Sequence, residues 1–225
     1  MEPKMDQNTW TEVDDYLAGL LAPSDPVLDS AQATTAAAGM PAISVSPMQG
    51  KMLQVLATGL RARSILEIGT LGGYSTIWLA RGMASGGRLI TLEKERKHAE
   101  VARANIARAG FANVVELRIG SALESLPKLE TEGRGPFDLI FIDADKPNIP
   151  SYFEWALKLS HSGTVIIVDN VIREGDVSDA ESDDPSTRGV RRFFDMLSVT
   201  SRVTATAIQT VGLKGYDGFS MAVVN

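Results

Sequence analysis

The sequence predicts an α/β fold: a doubly wound, mostly parallel, seven-stranded sheet with an antiparallel C-terminal strand. Three observations carry this. Short apolar runs at 65–68, 88–92, 114–119, 137–142 and 164–168 have the composition of strands buried on both faces of a parallel sheet. Helical patterns at 74–83 and 94–109 fall between the first three, giving the alternation of a parallel, doubly wound arrangement. The stretches 202–208 and 215–224 read as a hairpin-like pair that closes the chain, with Gly-Tyr-Asp-Gly between them or opening the last strand.

Composition narrows the function classes. At 225 residues the chain is long enough for one α/β domain with a sizeable core. A net charge of -6 argues against a phosphate backbone as partner, so no nucleic acid is expected. The absence of cysteine excludes disulfides, thiolate metal sites and a cysteine nucleophile. No apolar run approaches the roughly 20 residues of a membrane span, and no signal-peptide pattern opens the chain, so a cytoplasmic location with no membrane partner is the expectation.

In chain order, residues 1–9 are polar and expected to be mobile. Trp10, Val13, Tyr16, Leu17, Leu20 and Leu21 recur at helical spacing. This amphipathic helix covers either the main domain or a partner subunit. Trp10, Tyr16 and Leu20 on one face suggest an apolar surface in need of cover, hence a homodimer. Residues 31–40 are rich in Ala and Thr, end in Gly-Met-Pro, and read as a link. The division is therefore an N-terminal helical extension and linker over 1–39 and a main domain over 40–225. Ser46 and Pro47 open a helix over 48–60.

The strand at 65–68 runs into Gly69, Gly72 and Gly73, which allow a sharp turn and close approach of a ligand. Ser75 and Thr76 then open a helix whose free N–H groups can face a negatively charged group. The spacing lacks the G-x-G-x-x-G of dinucleotide folds, which speaks against a nicotinamide dehydrogenase. Glu67, two positions before Gly69, would repel a phosphate and suits a ligand with positive charge. S-adenosylmethionine is such a ligand, with a sulfonium, an amino group and no phosphate. A plain structural turn is the open alternative.

Ligands of open parallel sheets bind outside the carboxyl ends of the strands. Glu93 ends the second strand, where a ribose is held, or else caps the next helix. Gly120-Ser121-Ala122 follows the third strand, and its small residues let a flat adenine lie close or simply make a tight turn. Asp143-Ala144-Asp145-Lys146 follows the fourth strand and Asp169-Asn170 the fifth. Asp143, Asp169 and Asn170 are hard oxygen donors for Mg²⁺, Mn²⁺ or Ca²⁺, and helix capping is their plainer use. A lysine beside a divalent cation loses its proton more readily, which makes Lys146 the candidate to take a proton from a substrate hydroxyl. His98 and His161 receive no role. The acidic loop 174–184 reads as a solvated segment that can border a substrate.

The combination of Leu-Glu-Ile-Gly-Thr-x-x-Gly-Tyr-Ser, Phe-Ile-Asp-Ala-Asp-Lys and Val-Asp-Asn resembles the metal-dependent O-methyltransferases of the catechol and caffeoyl-CoA type over about residues 40–225. The resemblance implies a Rossmann-like methyltransferase fold and S-adenosylmethionine as methyl donor. Val45 and Ser75 would touch its methionine end, and Glu67, Gly69 and Thr70 would line that end. Glu93 would hold the ribose, Ala122 the adenine side, and Asp145 the amino group. Asp143, Asp169 and Asn170 match the metal ligands, Lys146 the catalytic lysine, and Tyr152 the acceptor wall. Asp143 would border the cofactor as well as serve catalysis. The Ala144-Asp145 pair is similar to the bacterial branch, and the family leans to homodimers. The implied acceptor is a small catechol-like or caffeoyl-type aromatic diol, with the acidic loop arguing against a CoA ester. A metal-independent methyltransferase and a non-catalytic cofactor-binding protein are the alternatives.

Overall fold

The computed structural model describes residues 6–23 and 25–225; the expectation of mobility for residues 1–9 falls mostly on positions 1–5, outside the described residues. Seven strands form one sheet: β1 (Ser64–Ile68), β2 (Arg88–Glu93), β3 (Val115–Ile119), β4 (Phe137–Ile142), β5 (Ser160–Asp169), β6 (Val203–Gly212) and β7 (Gly215–Val224). Their order is β3-β2-β1-β4-β5-β7-β6. β7 runs antiparallel to both neighbours, and the other pairs are parallel, as the sequence predicts. Gly-Tyr-Asp-Gly opens β7.

The pleat divides the apolar residues between two cores. Leu66, Ile68, Ile90, Leu92, Ile140, Ile142, Ile166 and Val168 face one, with α6 (Ala122–Thr131), α7 (Ile149–Lys158) and α8 (Pro185–Val199) over them. Their alternates Ile65, Leu89, Leu139, Phe141, Val165 and Ile167 face the other. That second face is covered by α2 (Pro26–Ala37), α3 (Pro47–Gly59) and α4 (Tyr74–Gly82), while α5 (Arg96–Arg108) packs on α2 and α4. Burial on both sides is what makes these strands near-continuous apolar runs.

Residues 31–40 are not a link. Asp25 caps α2 by accepting from the Val27 and Leu28 N–H groups, Pro26 fills its first turn, and Leu28, Ala31 and Thr35 are buried. Asn105 of α5 donates from Nδ2 to the carbonyls of Ala31 (3.3 Å) and Gly72 (2.9 Å), tying α2 to the glycine-rich turn. The helix α1 (Gln7–Leu21) has no buried residue and rests on α3 and β6. Among the described residues, no helix is long and apolar enough to cross a membrane.

The chain winds outward from β1 in both directions, so β1 and β4 splay at their carboxyl ends and leave a crevice there. The backbone closes tightly at its base. Gly69 N donates to Leu92 O at 3.0 Å and Asp143 N donates to Ile68 O at 2.9 Å.

Candidate active site

A cleft of about 550 Å³ occupies this crevice. The strand ends place Gly69, Thr70 and Ser75, then Glu93, then Ala122, then Asp143, Asp145 and Lys146, and then Asn170 on its wall. Val45, ahead of α3, and Tyr152, on α7, border it too. Two expected residues, Glu67 and Asp169, lie behind the wall.

The glycine-rich turn is held by Glu93. Its Oε2 accepts from the N–H groups of Thr70 (3.2 Å) and Leu71 (2.8 Å), and its Oε1 accepts from Glu95 N (2.8 Å). A carboxylate has about four acceptor positions, so one remains for a ligand hydroxyl. His98 Nδ1 stands 3.5 Å from Glu93 Oε1 and borders the cleft, a contact that sequence reasoning missed. The signal was available: His98 lies in the first turn of the helix that follows Glu93.

Glu67 is fully buried among hydroxyls. Ser75 Oγ donates to its Oε1 at 2.6 Å, and Thr76 and Thr91 donate to its Oε2 at 2.5 and 2.7 Å. Burial pushes its pKa up to about 7, against the pull of the three hydroxyls, and the charge of Asp143 adds to the rise. Ser75 therefore stands between Glu67 and the cleft. The carboxylate fixes the direction of the Ser75 hydroxyl rather than presenting its own oxygens.

Asp145 is gripped by α7 and the turn before it. Tyr152 OH donates to Oδ1 and Asn148 Nδ2 to Oδ2, each at 2.5 Å. Burial, then the bond to Asp145, raises the Tyr152 pKa. Tyr152 is buried and its hydroxyl committed, so its part in the wall is to set Asp145.

Lys146 Nζ lies 3.0 Å from Asp143 Oδ1. On the neighbouring strand, Asp169 is 3% exposed, and its Oδ1 accepts from Asn170 N at 2.9 Å. Burial, then the charge of Asp143, pushes Asp169 up to about 7, against the pull of Lys146. Asn170 takes a left-handed φ of 56°, a conformation Asn tolerates well, and borders the cleft. Among the described residues no three His, Cys, Asp or Glu side chains form a metal group; the donor set is two carboxylates and an amide. That set fits a hard dication: the neighbouring charge of Asp143 disfavours the charge of buried Asp169 in its absence, and a cation relieves it.

Arg173, also missed from sequence, borders the same end of the cleft.

A family model described as O-methyltransferase matches residues 21–221. The chain belongs to the O-methyltransferase family. Among relatives of this family, the catechol O-methyltransferase of Niastella koreensis is 54% identical over 98% of this chain and 100% of its own length. The catechol O-methyltransferase of Mycobacterium tuberculosis is 53% identical over 95% of each. An O-methyltransferase from Bacillus cereus, solved in complex with SAH, superposes with a TM-score of 0.97 at 59% identity, over 98% of this chain and 100% of that one. TomG, an O-methyltransferase from Streptomyces achromogenes solved in complex with SAM, gives 0.95 at 51% identity, over 98% and 99%. The sheet is thus the Rossmann-like methyltransferase fold, and the protein is a methyltransferase of the O-methyl-transferring class.

Proposed function

We propose that this O-methyltransferase moves the methyl group of S-adenosylmethionine to a hydroxyl of a catechol-like or caffeoyl-type aromatic diol, in the cytoplasm, with a divalent cation at Asp143, Asp169 and Asn170. The observation that carries this reading is the meeting of that oxygen set with Lys146 at one end of a cleft whose other end is the Glu93-pinned turn. The names of the close relatives favour the same acceptor class. Mg²⁺ suits the hard oxygen set best, with Mn²⁺ and Ca²⁺ as other candidates.

The residues divide the work. Val45, Gly69, Thr70, Ser75 and Ala122 shape the donor end, with Glu67 orienting Ser75. Glu93 takes a ribose hydroxyl, and Asp145 the amino group. A bound dication would lower the pKa of a chelated acceptor hydroxyl. Lys146, beside Asp143, assists removal of the hydroxyl proton. The acceptor oxygen then forms a bond to the methyl carbon as the carbon–sulfur bond breaks, and the electron pair stays on the thioether. Most of the protein's contribution is placement of the two reactants.

The enzyme is proposed to be a homodimer. Val13, Tyr16, Leu20 and Leu21 of α1 are more than half exposed, an apolar face that the described residues leave largely uncovered. Light scattering should give twice the 24.1 kDa chain mass. The activity itself is tested with a panel of catechols, with and without Mg²⁺, by mass detection of a methylated product. A mono-O-methyl product that requires the metal supports the reading; no product from any diol refutes it.

A further inference from the structure

We propose that Arg173 selects an acceptor that carries a carboxylate on or near its aromatic ring. The inference rests on the diol reading above and specifies it. Arg173 follows the metal-ligand candidate Asn170 by three residues and borders the cleft together with Lys146. Its Nε is buried and has no hydrogen-bond partner. Among the described residues no ion pair engages the guanidinium, so its charge is available to a ligand at the cleft wall.

The other cation at this end is committed, since Lys146 is engaged with Asp143 at 3.0 Å. Asp184 does not take the guanidinium either. Its carboxylate is held below the usual range chiefly by the Thr187 N–H, and the charge of Arg173 contributes least. Its Oδ2 accepts that N–H at 2.7 Å as the cap of α8.

The backbone is built to keep Arg173 in place. Arg173 and Glu174 both take φ of 56°, and Gly175 takes 102°. Two consecutive non-glycine residues in the left-handed region are strained. They persist because Asp217 Oδ1 accepts from Ile172 N at 2.9 Å and Arg173 N at 3.0 Å. Strain held by a side chain of β7, at the edge of a cleft, marks a position that is fixed for use.

The ligand class follows from charge and shape. A planar guanidinium matches a planar carboxylate with two parallel hydrogen bonds. Glu174, Asp176 and Asp179 are exposed on the same segment, and their charge disfavours a bulky polyanion such as a CoA tail. A single carboxylate attached to the diol carries far less charge than such a tail and pairs with Arg173 at the cleft wall.

The test compares catechol with 3,4-dihydroxybenzoate by calorimetry on the SAH-loaded, Mg²⁺-supplemented enzyme. The wild type should bind the carboxylated diol at least about tenfold more tightly. Arg173→Gln should remove that advantage and leave the affinity for catechol unchanged, and Arg173→Lys should keep part of it. In turnover, KM for the carboxylated diol should rise in Arg173→Gln while kcat stays near wild type. Equal affinities in the wild type, or an equal loss for both diols in the variant, overturn the proposal. If the wild type methylates catechol without preferring the acid, this inference alone fails. If it methylates neither diol, the diol reading fails and the inference falls with it.

Discussion

Gly69 and Asp143 meet backbone to backbone: a Cβ on Gly69 would sit 2.0 Å from the Asp143 carbonyl oxygen. The cofactor turn and the strand that bears the first candidate metal carboxylate are therefore packed as closely as a chain without a side chain permits. Gly69 also takes φ of 99°. Gly69→Ala is expected to lose at least about 1–3 kcal/mol of stability from backbone strain alone. Because relief requires β1 and β4 to part, affinity for S-adenosylmethionine should fall with it. Thermal unfolding and calorimetry on the same sample check both.

Glu67 predicts a pH dependence. Its folded pKa stands at about 7 against an ordinary 4.5, so the native state holds a proton that the unfolded state has released between those values. The stability Glu67 contributes is full below about pH 4.5 and falls away as pH rises through about 7. Urea unfolding from pH 4.5 to 7.5 should show this decline in the enzyme without metal. Asp169, also raised to about 7, adds to the same decline, so Glu67→Gln, which removes one of the two titrations, should lessen the slope without abolishing it. An unchanged slope in that variant would mean another group carries the effect.

Glu93 has two duties, to the turn and to the ribose. Glu93→Ala strips the acceptor from the Thr70 and Leu71 N–H groups as well as from the ligand. Affinity for S-adenosylmethionine should weaken by about 1–3 kcal/mol. Amide exchange at Thr70 and Leu71 should speed up even without ligand, which a residue serving the ribose alone would not cause.

Lys146→Ala should lower the rate by roughly 10²–10⁴ if the lysine acts as general base, with metal affinity retained. Rapid-quench turnover alongside Mn²⁺ titration separates the two. Near-normal rates would leave proton removal to water.

Much of this arrangement was legible in the sequence because it depends on local signals. Apolar runs mark β1, β4 and β5, and acids at their ends fall where any open parallel sheet places its ligands. What was illegible depends on pairing. Thr91 donates to Glu67 because register sets the two opposite one another across β1 and β2, and register is a property of the sheet rather than of either strand. Arg173 is held by Asp217, 44 residues away. The helix α2 was missed for another reason: its Ala and Thr residues make a weak apolar stripe, and the start signal, Asp25 before Pro26, went unused.

The central claim is that two carboxylates and an amide hold a cation on which acceptor chemistry depends. Asp143→Ala and Asp169→Ala should each lose most activity while binding S-adenosylmethionine nearly as well as the wild type. The most direct measurement is turnover of a catechol in excess chelator, followed by back-titration with Mg²⁺ or Mn²⁺. The account predicts loss of product in chelator and its return with the metal. Full turnover in chelator would contradict it and leave a metal-independent methyltransferase in its place.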